Sequence, residues 1–421
     1  MQTLQHIPVP HYVPRNNIPL QTDLCITMHN DFILKMIKNS LTTSIEKDST
    51  ILPELVTTTG KVCSHILSTL HNVIRFHCDI IEKAETEVLF TTSYWEGKSL
   101  SAYMLSRSFQ KLLKKKPNVK IRIVVDNGTI ENLFARGNTR LVKVSKLVTY
   151  DDGGTYETDI MNIKSKSVHV PLFGTMHAKF MLVDRKIGVV SSNNVQDRPN
   201  VELAVSMEGK VCDGIFDIFR RLWKDDDDLN VANAPTTNAS LATDIIFANR
   251  RCFGGFSLDI DSPQNCAWWT LMSCANNDIF ITTPTFNAGH AMEAVYLACR
   301  RGIRVTMVLT KNFNDKKEAM PFQGGTNNHS VKRLKKRLQK VDCGNNLLVR
   351  WYVGKNEKRP KRGVHSHVKF LSIDHSILMF GNGNMDTQSW YHSMEVNIII
   401  PSSDLCKELE GTMMKYSILS V

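Results

Sequence analysis

Residues 177 to 184 read HAKFMLVD, and 190 residues later residues 367 to 374 read HVKFLSID. A chain that writes His, a spacer, Lys and a hydrophobic run ending in Asp twice, half a chain length apart, is constrained to fold as two related halves. The repeat extends beyond the motif. TEVLFTTSYW (86–95) resembles NDIFITTPTF (277–286), VKIRIVVDN (119–127) resembles RGIRVTMVL (301–309), and VELAVSMEG after the first motif answers MEVNIIIPS after the second. The offsets are 191, 182, 190 and about 193, so the same elements recur in the same order with small insertions, as gene duplication leaves them.

Each half reads strand, amphipathic helix, strand, insertion, motif strand, strand. Leu105, Phe109, Leu112 and Leu113 fall at helical intervals between two β-rich runs, which predicts a βαβ unit, and AGHAMEAVYLACRRG takes that place in the second half. Alternating strands and helices predict an α/β layered sheet in each half. The polar, aperiodic stretch DDDDLNVANAPTTNAS predicts a linker. The division is then an N-terminal extension (1–59), a first lobe (60–224), a linker (225–241) and a second lobe (242–421). Within the extension, residues 1–22 read as irregular and Asp31 to Ile45 as a surface helix, with no counterpart in the second half and no assigned role.

The chain has 421 residues, 42% of them apolar and 22% charged, enough to bury a core in each half without disulfides. No apolar run approaches the roughly 18 residues of a spanning helix, and the first residues lack a signal-peptide layout. A soluble protein, intracellular or peripheral to a membrane, is expected. Ten cysteines are scattered without a CxxC pair and read as reduced and mostly buried. Of the net charge of +11, more than all lies between Arg300 and Gly363, where 18 Lys and Arg face 4 Asp and Glu. Such a field favours an anionic partner, an anionic membrane surface or nucleic acid, or is simply a solvated basic face.

On a strand, His177 and Lys179 point to one side, as do His367 and Lys369, so each motif offers an imidazole beside an ammonium. A lone His-x-Lys arises by chance in many chains of this length. Two copies, each followed by a small, polar loop ending at Asn194 or Asn384 and then by Glu202 or Glu395, are harder to dismiss. His365 and His367 share a strand face and raise a metal reading, but a protonated lysine offers no lone pair and repels a cation. Anion binding without metal or cofactor is the better fit.

The duplicated motif resembles the phospholipase D superfamily, in which two His-x-Lys-x4-Asp motifs from two similar halves meet at one active site. The resemblance covers residues 60 to 421, and the wording of GTMHAKFMLVD and GNGNMDTQSWYHSMEVN is most like the phospholipase D-like proteins of fungi. It implies two similar α/β lobes, each a mixed sheet flanked by helices, related by a pseudo-twofold axis. It further implies a phosphohistidine mechanism, with His177 as nucleophile and His367 as general acid. Lys179, Lys369, Ser192, Asn194, Asn382 and Asn384 would hold the phosphate, and Glu202 and Glu395 would orient the imidazoles. Asp184 and Asp374, on the opposite strand face, are expected to be structural. The chain departs from the usual Gly-Ser before x-Asn, with Ser191-Ser192 in the first half and Gly381-Asn382 in the second.

Three functions compete. A phospholipase D or phosphatidyltransferase acting on glycerophospholipid is favoured by the wording and by apolar residues near the motifs. A nuclease of the same superfamily is favoured by VKRLKKRLQK and KNEKRPKRG, although these lack the interleaved aromatics of a single-strand platform. An inactive anion- or membrane-binding protein is disfavoured because both His and both Lys are kept. With both motifs in one chain, a monomer suffices.

Overall fold

The apolar run after each His-x-Lys is buried on both faces, which is why it lacks polar alternation. Phe180 and Leu182 enter one hydrophobic cluster, Met181 and Val183 another, the period of two of an extended strand. In this computed structural model, which describes residues 23–45, 50–126, 140–142, 162–170, 174–224, 227–229, 242–255, 261–313, 323–355 and 357–420, that run lies at the centre of the first of two mixed sheets.

The first half contributes β1 (Thr57–Thr69), β2 (Glu87–Thr92), β3 (Lys120–Val125), β4 (Arg140–Val142), β5 (Ile163–Ser167), β6 (Thr175–Met176), β7 (Phe180–Val183), β8 (Ile187–Ser191) and β9 (Asn200–Glu208). Its helices are α1 (Asp23–Ile45), α2 (Pro53–Val56), α3 (Leu70–Ile81), α4 (Leu100–Lys115) and α5 (Val211–Trp223). The sheet runs β4-β5-β3-β2-β7-β8-β9-β1, with β2, β3 and β5 parallel and the other neighbours antiparallel. As the sequence predicts, β2-α4-β3 is a βαβ unit, with α4 capped by Ser99 and burying Leu105, Phe109, Leu112 and Leu113. With α3, it covers the Met181 face. On the other face, Phe219 of α5 meets Phe180 edge-on and stacks on Trp223.

The second half adds β10 (Thr243–Phe247), β11 (Asp278–Thr283), β12 (Arg304–Leu309), β13 (Leu347–Tyr352), β14 (His365–Ser366), β15 (Phe370–Ile373), β16 (Ile377–Gly381), β17 (Ser393–Met394), β18 (Asn397–Pro401) and β19 (Ser417–Leu419). Its helices are α6 (Pro263–Cys274), α7 (Gly289–Arg300), α8 (Asn327–Gln339), α9 (Thr387–Tyr391) and α10 (Ser403–Lys415). The order β13-β12-β11-β15-β16-β18 repeats β5-β3-β2-β7-β8-β9, with the same parallel and antiparallel pairs. The two lobes are thus the same mixed α/β fold.

Two boundaries differ from the sequence reading. The division at residue 60 falls inside β1: residues 57–60 pair with β10 of the second sheet and residues 61–69 with β9 of the first, so one strand ties both lobes. The helix expected at the surface is longer, Asp23–Ile45, and lies against α6 with Ile33, Leu34, Ile37 and Leu41 buried. It belongs to the second lobe. His29 reaches Asp374, Asn30 accepts from Ser376, and Lys38 pairs with Asp244. Residues 1–22 and most of the linker, 225–226 and 230–241, lie outside the described residues. The described turn at 227–229 is docked, with Asp228 gripped by Arg122 at 2.5 and 2.8 Å.

Candidate active site

Two short inter-lobe pairings build the site. β6 runs parallel to β17, Thr175 against Ser393 and Met176 against Met394, while β14 runs parallel to β9, His365 against Asn200 and Ser366 against Val201. The next residues along each pair are therefore His177 beside Glu395 and His367 beside Glu202. The His177 ring nitrogen Nδ1 lies 2.9 and 3.0 Å from the Glu395 oxygens, and that of His367 3.0 Å from both Glu202 oxygens. Each carboxylate serves the imidazole of the other lobe. The His-x-Lys residues themselves sit between strands and not on one, because here the backbone leaves its own sheet: His177 N–H donates to Met394 O and His367 N–H to Val201 O.

The glutamates are fully buried, and each is held by a serine hydroxyl: Ser192 donates to Glu202 at 2.5 Å and Ser389 to Glu395 at 2.6 Å. Burial opposes their ionisation, yet the facing imidazole, lysine and serine outweigh it and keep both carboxyls below the usual range. Burial pushes both imidazoles down, His367 to about 4, against the pull of those carboxylates. An ionised carboxylate only accepts, so Nδ1 carries the proton and Nε2 keeps a lone pair for chemistry.

Lys179 and Lys369 are buried, and each donates from Nζ to the carbonyl of its own motif histidine at 2.6 Å. Burial lowers them to about 7 and about 8, with Glu395 and Glu202 resisting. Each lysine feels both carboxylates, and Lys179 also feels Lys369, so the two motifs form one electrostatic cluster. A bound anion beside an ammonium would favour its charged form.

The small-polar loops take unequal places. Asn382, expected at the phosphate, is fully buried elsewhere: its Oδ1 accepts from the N–H of Lys179 and Val396, and its Nδ2 donates to Lys179 O and Ser191 O. It pins one lobe to the other and has no bond left for substrate. Ser192 is likewise spent on Glu202 and the N–H of Leu203. Gly381, at φ +154°, lets β16 press against β18, because a Cβ there would stand 2.3 Å from Val396 O. Asn194 and Asn384 each keep a buried Oδ1, an acceptor, with no partner among the described residues.

Asp184 and Asp374 lie at the far end of their strands. Each opens a two-residue turn with positive φ (Asp184-Arg185, Asp374-His375), the twist-matched hairpin turn. Their carboxylates accept backbone N–H groups at the start of the central parallel strand: Glu85, Thr86 and Glu87 in one half, Asn276, Asn277 and Asp278 in the other.

The halves of the site are not equivalent. His177 borders a cavity of about 320 Å³ lined by hydroxyl and amide groups, among them Thr175, Asn287, Gln388 and Ser393, and by the Asp386 carboxylate, whereas His367 is stacked under Phe313 at 5.5 Å. The side chains are 17% and 7% exposed. His365, the other member of the metal reading, packs edge-on against Phe313. Sequence reasoning missed Ser389 and Phe313, since neither has a repeat partner; the Glu pairing across lobes was equally hidden, because a local motif carries no register between distant strands.

The family described as "Cardiolipin synthase, PLD-like domain" matches residues 77–223 and again residues 269–416. The chain belongs to that family. Each PLD-like copy supplies one His-x-Lys and one Glu, and the site lies where the copies meet. No curated protein sequence matches the chain. Among solved structures, a phosphatidylserine synthase from Haemophilus influenzae Rd KW20 is similar at 13% identity and TM-score 0.57, covering 87% of this chain and 90% of that one. A polyphosphate kinase from Porphyromonas gingivalis is similar at 12% identity and TM-score 0.51, covering 83% of this chain and 46% of that one. At such identities the likeness is one of fold.

Proposed function

We propose that the protein transfers phosphatidyl groups, or hydrolyses them, through a phosphohistidine. The observation that carries this reading is the crossed pair of His–Glu contacts around two buried lysines. His177 Nε2 attacks the phosphorus of a glycerophospholipid diester, and the bond to the leaving alcohol breaks as His367, which takes up a second proton on Nε2 beside the bound phosphate anion, gives that proton to the leaving oxygen. His367, left neutral, then takes a proton from water or an acceptor alcohol, whose oxygen attacks phosphorus and releases His177. Lys179 and Lys369 balance charge on the non-bridging oxygens, and the Nδ2 groups of Asn194 and Asn384 donate hydrogen bonds to them. His177 is the better nucleophile by access, since it faces the cavity while Phe313 covers His367. Two ammoniums occupy the place where a cation would be wanted, so the chemistry needs no metal.

Lipid is favoured over nucleic acid by the family and by the cavity, whose lining of hydroxyls, amides and the Asp386 carboxylate suits a small polar alcohol and would repel a polyanion. No helix among the described residues is long and apolar enough to cross a membrane. Access to lipid would come through the basic surface of the second lobe, a peripheral contact with an anionic bilayer. Labelled phosphatidylglycerol and phosphatidylcholine vesicles, incubated with the protein in excess chelator with and without a primary alcohol, test the reading. Release of headgroup, and transfer to the alcohol when it is present, are expected. Cleavage of single-stranded DNA in a parallel assay with no lipid turnover would replace it with a nuclease.

A further inference from the structure

Beyond the two glutamates each motif lysine feels a third carboxylate, Asp386 for Lys369 and Asp126 for Lys179, and the one beside the first motif stands where the second half has no charge. Asp126 follows β3 directly; its Oδ2 accepts the N–H of Met176, the residue before His177, at 2.8 Å, and its Oδ1 accepts from His169 Nδ1 at 3.0 Å. The two side chains are 5% and 9% exposed. His169 Nε2 is buried with no partner among the described residues, a desolvation cost that an apolar filler would avoid. Strand register identifies the counterparts: Val125 aligns with Leu309 and Ser167 with Trp351, so Asp126 corresponds to Thr310 and His169 to Val353. Thr310 Oγ1 accepts the N–H of Ser366, one residue before His367, and so makes the same backbone bond without charge. The fold therefore needs a hydrogen-bond acceptor at this place but not a carboxylate, and it needs no histidine.

We infer that Asp126 and His169 are a charge-setting pair for the first motif: the carboxylate keeps Lys179 protonated, and His169 keeps the carboxylate ionised. Both are positioning residues that act through Lys179, and the inference rests on the proposed phosphate role of that lysine. The electrostatics agree in direction. Burial pushes Asp126 up to about 6, against the pull of the His169 and Met176 hydrogen bonds and of Lys179. Lys179, lowered by burial, is raised by Glu395, Glu202 and Asp126 and lowered by Lys369. Cys252 also feels Asp126, as a thiol pushed up to about 12 and hence neutral. Removing the Asp126 charge lets Lys179 lose its proton at lower pH.

The test is the binding of dimethyl phosphate, a monoanion throughout, to the full chain between neutral and alkaline pH. Asp126→Thr reproduces the second half, keeping the backbone bond and deleting the charge. It should retain affinity on the acid side, and the alkaline loss of binding should move down by about one pH unit, the low end of what a neighbouring opposite charge does. His169→Val should move it in the same direction, and adding that change to Asp126→Thr should move it no further, since His169 acts through Asp126. A loss of binding at unchanged pH in both single variants overturns the inference, as does an additive shift in the double variant. Should Asp126→Thr not fold, His169→Val alone decides. Turnover of bis(4-nitrophenyl) phosphate by the unaltered protein is measured alongside: binding without turnover removes the catalytic reading while the shift in binding still decides the role of the pair.

Discussion

In the proposed mechanism Glu202 and Glu395 orient the two imidazoles without touching the substrate's phosphorus. Each accepts the Nδ1 proton of an imidazole and would stabilise the charge the proposed reaction develops there. Glu395→Gln should lower kcat by roughly 10²- to 10⁴-fold, the span of a lost general acid–base partner, with little change in KM; a fall in affinity alone would make the residue a substrate ligand. The pH profile of kcat/KM should be a bell. On the acid side activity is lost as the nucleophile His177 takes up a proton on Nε2, whereas His367, whose value burial lowers to about 4, must carry a proton there to act as the acid. On the alkaline side the lysines are charged below their folded values and lose that charge as pH rises through about 7 and about 8, so anion binding fails there. Sequence reading found the residue types of this cluster because spacing alone reveals a duplicated motif. It misplaced Asn382, because a polar residue in a small-residue loop reads the same whether its amide faces a phosphate or four backbone groups.

Among the elements, α1 shows how a helix can be legible while its place is not. Ile33, Leu34, Ile37 and Leu41 repeat at helical spacing, which names a helix and an apolar stripe. Only the structure supplies the partner, α6 of the second lobe. Because Ile37 is fully buried there, Ile37→Ala should destabilise the protein by about 2–5 kcal/mol, measured by denaturant unfolding; a change near zero would return the helix to the surface. The basic run resolves into unequal parts as well. Lys335 and Arg337 of α8 are tied inward to Ser420 O and Glu293, whereas Lys332, Arg333, Lys336 and Lys340 are exposed. The loop from β13 into β14 exposes Lys358, Arg359, Lys361 and Arg362 and leads directly to His367. Reversing the charge of these loop residues should weaken binding to anionic vesicles at low salt, each contributing about 1 kcal/mol near the surface. Unchanged vesicle binding would leave the loop a solvated face.

At the scale of the molecule, duplication explains why neither half is sufficient. β1 belongs to both sheets, Asn382 pins the first motif's backbone from the second lobe, and each histidine is oriented from across the interface. The repeat made the two-lobed fold readable, since the offsets are those of its strands. The exchange of carboxylates was not readable, because symmetry in a sequence does not say whether its copies act side by side or through each other. The central claim is that this interface forms one site with His177 as its nucleophile. Acid-quenching the protein with a labelled 4-nitrophenyl phosphodiester and mapping the label tests it most directly. A nitrophenolate leaves without a proton, so His367→Ala should still form the intermediate and, lacking the base that activates water, should accumulate label on His177, while His177→Ala should carry none. Label on His367 in the His177→Ala protein would reverse the assignment, and label on neither histidine in any variant would contradict the covalent mechanism.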